Sequence, residues 1–347
     1  MRIKKIVVSS LLVCVSVIGC AQDIHFSQFD KAPLSLNPAL TGAFNADHRI
    51  IANYKSQWRS VSKTYMTYGL SYDMGILKDR LNGGILGIGV QLYNDQAGIN
   101  KMGLTQANIS VAYHLPLNRK NFLTAGIQGG FAQRRITGGS MQWDNQYDPT
   151  SADGYNSGLP SGESSTFSNK IYGDISAGVM WSYNLQQTTI TSNNNKKVTV
   201  GVSLFHINRP KQTFFDVVDK KMYMKLAVHV SSYIGFNNSN FSILPSGVWF
   251  NQGPANDIII GSMFRYRLKE SSRYTNFETE TALSIGCHYR VGDAVILLAQ
   301  LDWKNFMVGV SYDVNISQLA SSSKGAGGLE VSVRYITPLF SNKQRMY

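Results

Sequence analysis

Apolar and polar residues alternate with period two through much of the chain. Leu86, Ile88, Val90 and Leu92 fall on one face, with Gly87, Gly89 and Gln91 between them. The same rhythm runs through Ile175 to Tyr183, Val198 to Leu204, Leu226 to Val230 and Leu329 to Tyr335. Successive strand side chains point to opposite faces, so each segment has one apolar face and one small or polar face. The polar face decides the setting. A soluble sandwich exposes many charges there, whereas this chain offers mostly Gly, Ser, Thr, Asn and Gln, with an occasional Arg, Glu or His. Transmembrane barrels show such a pattern in segments of about ten residues, apolar toward lipid and polar inward, with aromatic girdles. Trp181, Tyr183, Tyr266, Tyr289 and Tyr312, at segment ends, suit girdles. The expected fold is an all-β transmembrane antiparallel β-barrel; a soluble all-β protein is the competing architecture.

About fourteen strands are expected, beginning near residues 46, 64, 82, 102, 120, 170, 196, 221, 240, 256, 279, 294, 304 and 327. The even count suits closure of a single-chain antiparallel barrel. With the N-terminal segment in the periplasm, odd-numbered connections face outward. They include the longest, 138–170, and also 208–220 and 315–327, while 116–120, 236–240 and 302–304 become short periplasmic turns. Connections 185–196 and 269–279 are longer than the periplasmic side prefers. One barrel accounts for residues 46–347, preceded by an N-terminal periplasmic segment, 22–45, that would run along or enter the barrel's mouth.

The first residues change the picture by adding an address. Arg2, Lys4 and Lys5 precede an apolar run of 13 residues, Ile6 to Ile18, followed by Gly19 and Ala21. That is the layout of a secretory signal peptide, 1–21, with cleavage after Ala21. The run falls short of the roughly 20 residues a spanning helix needs. Val17-Ile18-Gly19-Cys20 also reads as a lipobox, with Cys20 acylated; a barrel needs no such anchor. Of the other cysteines, Cys14 leaves with the signal, and Cys287 alone makes neither a disulfide nor a zinc site. The formal charge of +12 falls to +9 once Arg2, Lys4 and Lys5 are removed. The remaining basic residues are scattered and carry no nucleic-acid motif, so lipopolysaccharide phosphates or acidic partner surfaces are the expected contacts. No nucleic-acid partner is expected.

Charged residues are only 16% of the chain, well below the roughly one quarter usual for soluble domains. No P-loop, dinucleotide fingerprint, HExxH, CxxC or G-x-S-x-G motif occurs, and the six histidines are dispersed. Catalysis, a cofactor and a metal are therefore not expected, although a Ser-His-Asp site could still assemble in space. The most distinctive loop is Trp143-Asp144-Asn145-Gln146-Tyr147-Asp148-Pro149, with Asp153 and Glu163 beyond it. Its carboxylates could hold calcium, but the spacing matches no twelve-residue calcium loop. A solvated acidic loop is the bland reading; a protein-binding tip built on Trp143, Asp144, Gln146, Tyr147 and Asp148 is the functional one. Arg209 and Lys211, beside Pro210, mark either an ordinary outward turn or a basic contact for an acidic partner.

Gln22-Asp23-Ile24-His25-Phe26-Ser27-Gln28-Phe29, followed by Pro33 to Gly42 with Asn37-Pro38-Ala39, resembles the mature N-terminus of PorP/SprF-type outer-membrane proteins. Asn53 to Arg59, Gly89 to Asp95 and Gly201 to Pro210 extend the resemblance along the mature chain. His25, Phe26, Ser27, Gln28, Asn37 and Pro38 are its specific part, and they favour a mature start at Gln22. The resemblance implies a role in type IX secretion and gliding motility. Partners would be a secreted protein held through its C-terminal targeting domain, or periplasmic subunits of the secretion machinery. It brings no catalytic residues. The expectation is an outer-membrane protein that binds, anchors or helps export a surface protein; a diffusion channel for small molecules is the alternative.

Overall fold

The computed structural model describes residues 23–57, 64–81, 84–98, 102–136, 143–151, 154–162, 169–185, 195–211, 221–269, 280–317 and 320–337. The signal expected over 1–21, Cys20, Asp153 and Glu163 lie outside them. Fourteen strands follow in order: β1 (His48–Gln57), β2 (Tyr65–Leu81), β3 (Gly84–Ala97), β4 (Met102–Pro116), β5 (Asn121–Arg135), β6 (Lys170–Leu185) and β7 (Lys196–Phe205). They continue as β8 (Lys225–Gly235), β9 (Phe241–Gln252), β10 (Ala255–Lys269), β11 (Thr281–Arg290), β12 (Ala294–Trp303), β13 (Phe306–Asn315) and β14 (Ala326–Ile336). Each strand pairs antiparallel with its sequence neighbours, and β1 closes on β14 from Arg49↔Ile336 to Gln57↔Gly328. Closure pairs every strand on both sides, as a backbone surrounded by hydrocarbon must be. The expected starts hold; the largest departure is β8, which begins at Lys225 rather than near 221.

Alternation along the strands sorts the residues as the pattern predicts. Ile109, Ile127 and Ile285 are 61%, 65% and 58% exposed, while their neighbours Ser110, Gln128 and Ser284 are buried. Outward rings pair near the mouths: Phe241 with Tyr266 and Phe306 with Tyr335, both at 4.8 Å, and Tyr54 with Tyr68 at 5.3 Å. Pro245, without an N–H, sits where the β8–β9 ladder lapses between Ser231↔Ser246 and Ile234↔Ile243.

The beginning of β1 and the end of β14 share one mouth, together with the turns after β4, β8 and β12. Short turns mark the periplasmic side of such barrels. The opposite mouth carries the connections 136–169 and 206–224 and is the outward one.

Inside, the wall departs from the polar lining that the alternation suggests. Phe205, Ala227, Val248, Phe250, Ile259, Met263, Ile296 and Leu298 all point inward from β7 to β12 and form one apolar cluster. They have something to bury against, because residues 23–47 run through the lumen as a strap. Phe29 and Leu36 of the strap complete the cluster, and Leu34 is fully buried. Each such side chain, withdrawn from water, contributes about 1.5–3 kcal/mol.

Candidate functional site

The strap begins at the outward mouth and ends at the periplasmic one. It is built of three short turns, Phe29–Lys31, Pro33–Leu36 and Pro38–Leu40, which shorten the chain and aim successive side chains at different walls. Prolines 33 and 38 stand at first helical positions, where a missing N–H costs nothing. Asn37 caps the last turn, its Oδ1 accepting from Ala39 N at 2.8 Å.

Residues of the N-terminal motif grip several parts of the wall. The Ser27 and Gln28 amides donate to the two oxygens of Glu330 on β14, at 2.8 and 3.0 Å. Lys55 Nζ lies 3.1 Å from the same carboxylate and donates to His25 O at 2.7 Å. Ser27 Oγ donates to Asp313 Oδ2 at 2.7 Å, and Arg290 reaches both groups. His25 Nε2 stands 3.1 Å from Asp257, and Phe26 packs on Tyr93. Asn37 Nδ2 donates to Val179 O and approaches His229 Nε2 at 3.2 Å. Lower down, Gly42 N donates to Asp73, which Arg49 holds through two bonds of 2.8 and 2.6 Å.

Two glycines make room for the strap's backbone. A Cβ at Gly126 would lie 2.6 Å from Pro38 and Ala39 main-chain atoms, and one at Gly87 would lie 2.1 Å from Thr41 O. Close approach of two backbones is what a strand glycine permits.

At the outward mouth the strap is fastened by charge. His206 lies between two carboxylates, with Nε2 on Asp23 Oδ2 and Nδ1 2.9 Å from Asp174 Oδ1. Burial alone would lower the imidazole, but the hydrogen bonds and charges of Asp174 and Asp23 outweigh it and raise His206 to about 9. Asp23 is lowered to about 2, because His206 and Lys225 outweigh the opposing effect of burial.

The candidate loop residues also lie on the outward side. Trp143 precedes a turn over Asp144–Gln146, and Tyr147 bridges to Tyr155, ring on edge at 6.0 Å. Gln146 Nε2 donates to Leu159 O at 3.0 Å, folding the loop on itself. Asp148 Oδ1 accepts from Thr150 N at 2.9 Å and from its hydroxyl at 2.6 Å; these bonds hold its carboxyl below the usual range. That carboxylate is a turn-former. No group of three His, Cys, Asp or Glu suited to a metal occurs among the described residues. Tyr147 is exposed and Trp143 half-buried; Arg209 and Lys211 are exposed on the separate turn after β7.

Sequence reasoning passed over Glu330, Asp313, Asp73 and His206, the groups that receive the strap, and Asp174, which holds His206. Their signal was available: each is a lone charge, or a histidine, at an inward position of an apolar strand or just past its end. An ionisable residue at membrane depth needs a partner inside the barrel.

Among solved structures, the chain is similar to a FadL homologue of Pseudomonas aeruginosa (10% identity, 86% of this chain, 92% of that one, TM-score 0.41). It is similar to the toluene transporter TodX of P. putida (9%, 88% and 93%, TM-score 0.43) and to BamA of Haemophilus ducreyi (11%, 84% and 70%, TM-score 0.41). No curated protein matches the chain. The family described as type IX secretion system membrane protein PorP/SprF matches residues 18–335, so this outer-membrane β-barrel belongs to the PorP/SprF family.

Proposed function

We propose that this component of type IX secretion binds a secreted protein through that protein's C-terminal domain and holds it at the cell surface, without catalysis. The observation that carries this reading is the strap. It packs on an apolar wall and an ionic wall and leaves the outward connections as the surface on offer. Binding residues are commonly placed on such loops, positioned by a rigid scaffold. A diffusion channel would need the lumen that residues 23–47 occupy, and removing them would strand Glu330, Asp73 and His206 without their strap partners.

Replacing residues 138–168 with a short Gly-Ser turn tests the reading. Surface retention of the secreted protein is expected to be lost while the barrel still folds. Normal retention would reject the loop as the holding surface, and ion conduction by the wild-type protein in planar bilayers would favour the channel.

A further inference from the structure

The turn after β7 is an unusual piece of backbone in an exposed place. His206 has φ +56° and Arg209 φ +45°, and neither is glycine. Left-handed conformations at such residues persist only where the surroundings impose them. Here the surroundings are on both sides. The Asn208 side chain continues the β6 ladder, donating from Nδ2 to Gly173 O at 2.7 Å and accepting from Ile175 N at 3.2 Å. Ile207 N donates to Ile175 O, Arg209 N to His206 O and Met222 N to Pro210 O, all at 2.9 Å. His206 is clamped between Asp174 of β6 and Asp23 of the strap.

What this frame presents is a basic and apolar surface. Arg209, Lys211 and Lys221 are exposed, with Lys211 and Lys221 bridged side by side. Ile207, Tyr223 and Met224 stand exposed beside them, Tyr223 at 54%. Arg209 and Lys221 form no ion pair among the described residues, and the nearby carboxylates of Asp23 and Asp174 are already taken by His206. A guanidinium offers a planar fork suited to a carboxylate, and aromatic and Met side chains with Arg are what protein interfaces enrich.

We propose that the His206–Pro210 turn, with Lys221, Tyr223 and Met224, is a docking point for a polypeptide segment that carries acidic side chains beside an apolar one. This rests on the reading of the outward connections as the holding surface. Apolar side chains among the cations favour a polypeptide over lipopolysaccharide phosphate.

The test uses the full-length barrel in detergent and two short fluorescent peptides, one alternating Glu with Leu and Tyr, the other with Lys replacing Glu. The acidic peptide is expected to bind in a salt-sensitive manner and the basic one not to bind. Arg209→Glu and Arg209→Gly should each weaken binding about tenfold or more, the loss of one charge-assisted pair. The glycine variant relaxes the backbone while removing the cation, so misfolding cannot account for its loss. Lys120→Glu, in a periplasmic turn, should change nothing. No binding by the wild type, equal binding by the Arg209 variants, or equal binding of the basic peptide would each overturn the proposal. So would variants that lose only lipopolysaccharide binding. In cells, normal retention by Arg209→Glu beside lost retention in the loop replacement would reject this docking point alone. Unchanged retention after deletion of the whole protein would reject the anchoring function itself.

Discussion

Replacing Glu330 with Ala removes the acceptor for two strap amides and the counter-charge of Lys55 in one step. Glu330 is 1% exposed and Lys55 3%, so water cannot readily take over either role. Deleting one partner of a buried ion pair costs about 3–5 kcal/mol, chiefly because the other charge is left unsatisfied. A stranded buried donor costs about 1–3 kcal/mol, and the two effects overlap because they share one carboxylate. About 4 kcal/mol is the central expectation, equivalent to a factor of about a thousand in the balance between docked and undocked strap ends. The assay is hydrogen exchange of residues 24–31 by mass spectrometry on the purified barrel, with strand amides as an internal reference. Exchange in the strap should accelerate by about that factor while β4 and β5 stay protected. Glu330→Gln keeps one acceptor oxygen and should fall between the two. Strap exchange in Glu330→Ala indistinguishable from wild type would refute the view that this carboxylate holds the strap.

Two further outcomes follow from the same geometry. Gly126→Val places carbon atoms where Pro38 and Ala39 now lie, so the strap should lift from β5 and ion conduction in planar bilayers should rise above wild type; unchanged conduction would mean the lumen is sealed elsewhere. The outer fastening should be pH-bounded. His206, raised from 6.5 to about 9, stabilises fully below 6.5 and loses its contribution as pH climbs through 9. Asp23, lowered from 3.8 to about 2, stabilises above 3.8 and loses its contribution as pH falls through 2. Exchange of residues 23–26, corrected for its intrinsic pH dependence, should be slowest between those limits, and His206→Gln should flatten the alkaline limb.

The strands were legible because lipid imposes a strict period on any chain that faces it. Ile109 or Ile127 can only point outward, and the neighbour on either side must then point in. The strap was not legible in the same way. Its turns are too short to carry a period, and Asn37 or Gly42 reads like any loop residue. Yet the wall recorded it. Runs such as Ile258-Ile259-Ile260 and Val295-Ile296-Leu297-Leu298 are apolar on both faces, which a water-lined lumen would not require. The ionic partners were hidden for a different reason: Ser27 meets Glu330 across 303 residues of chain, and no local pattern encodes such a distance. The loop residues Trp143 to Asp148 and the Arg209 turn were found as turns from composition, but the left-handed backbone at His206 and Arg209 depends on tertiary clamps.

The direction of the strap carries a consequence for how the protein is made. Its Gly42 end can settle early, since Asp73 is only 31 residues away. Its Ser27 end has no seat until β13 and β14 have arrived, for Asp313 and Glu330 are its receptors. The strand that supplies Glu330 is also the one whose pairing with β1 closes the ring. Sealing the wall and seating Ser27 and Gln28 thus depend on one strand, and a chain cut short before β14 would be left open-sided with that end of the strap unheld. Ser27 and Gln28 act in this sense as a completion check, satisfied only once β14 is in place.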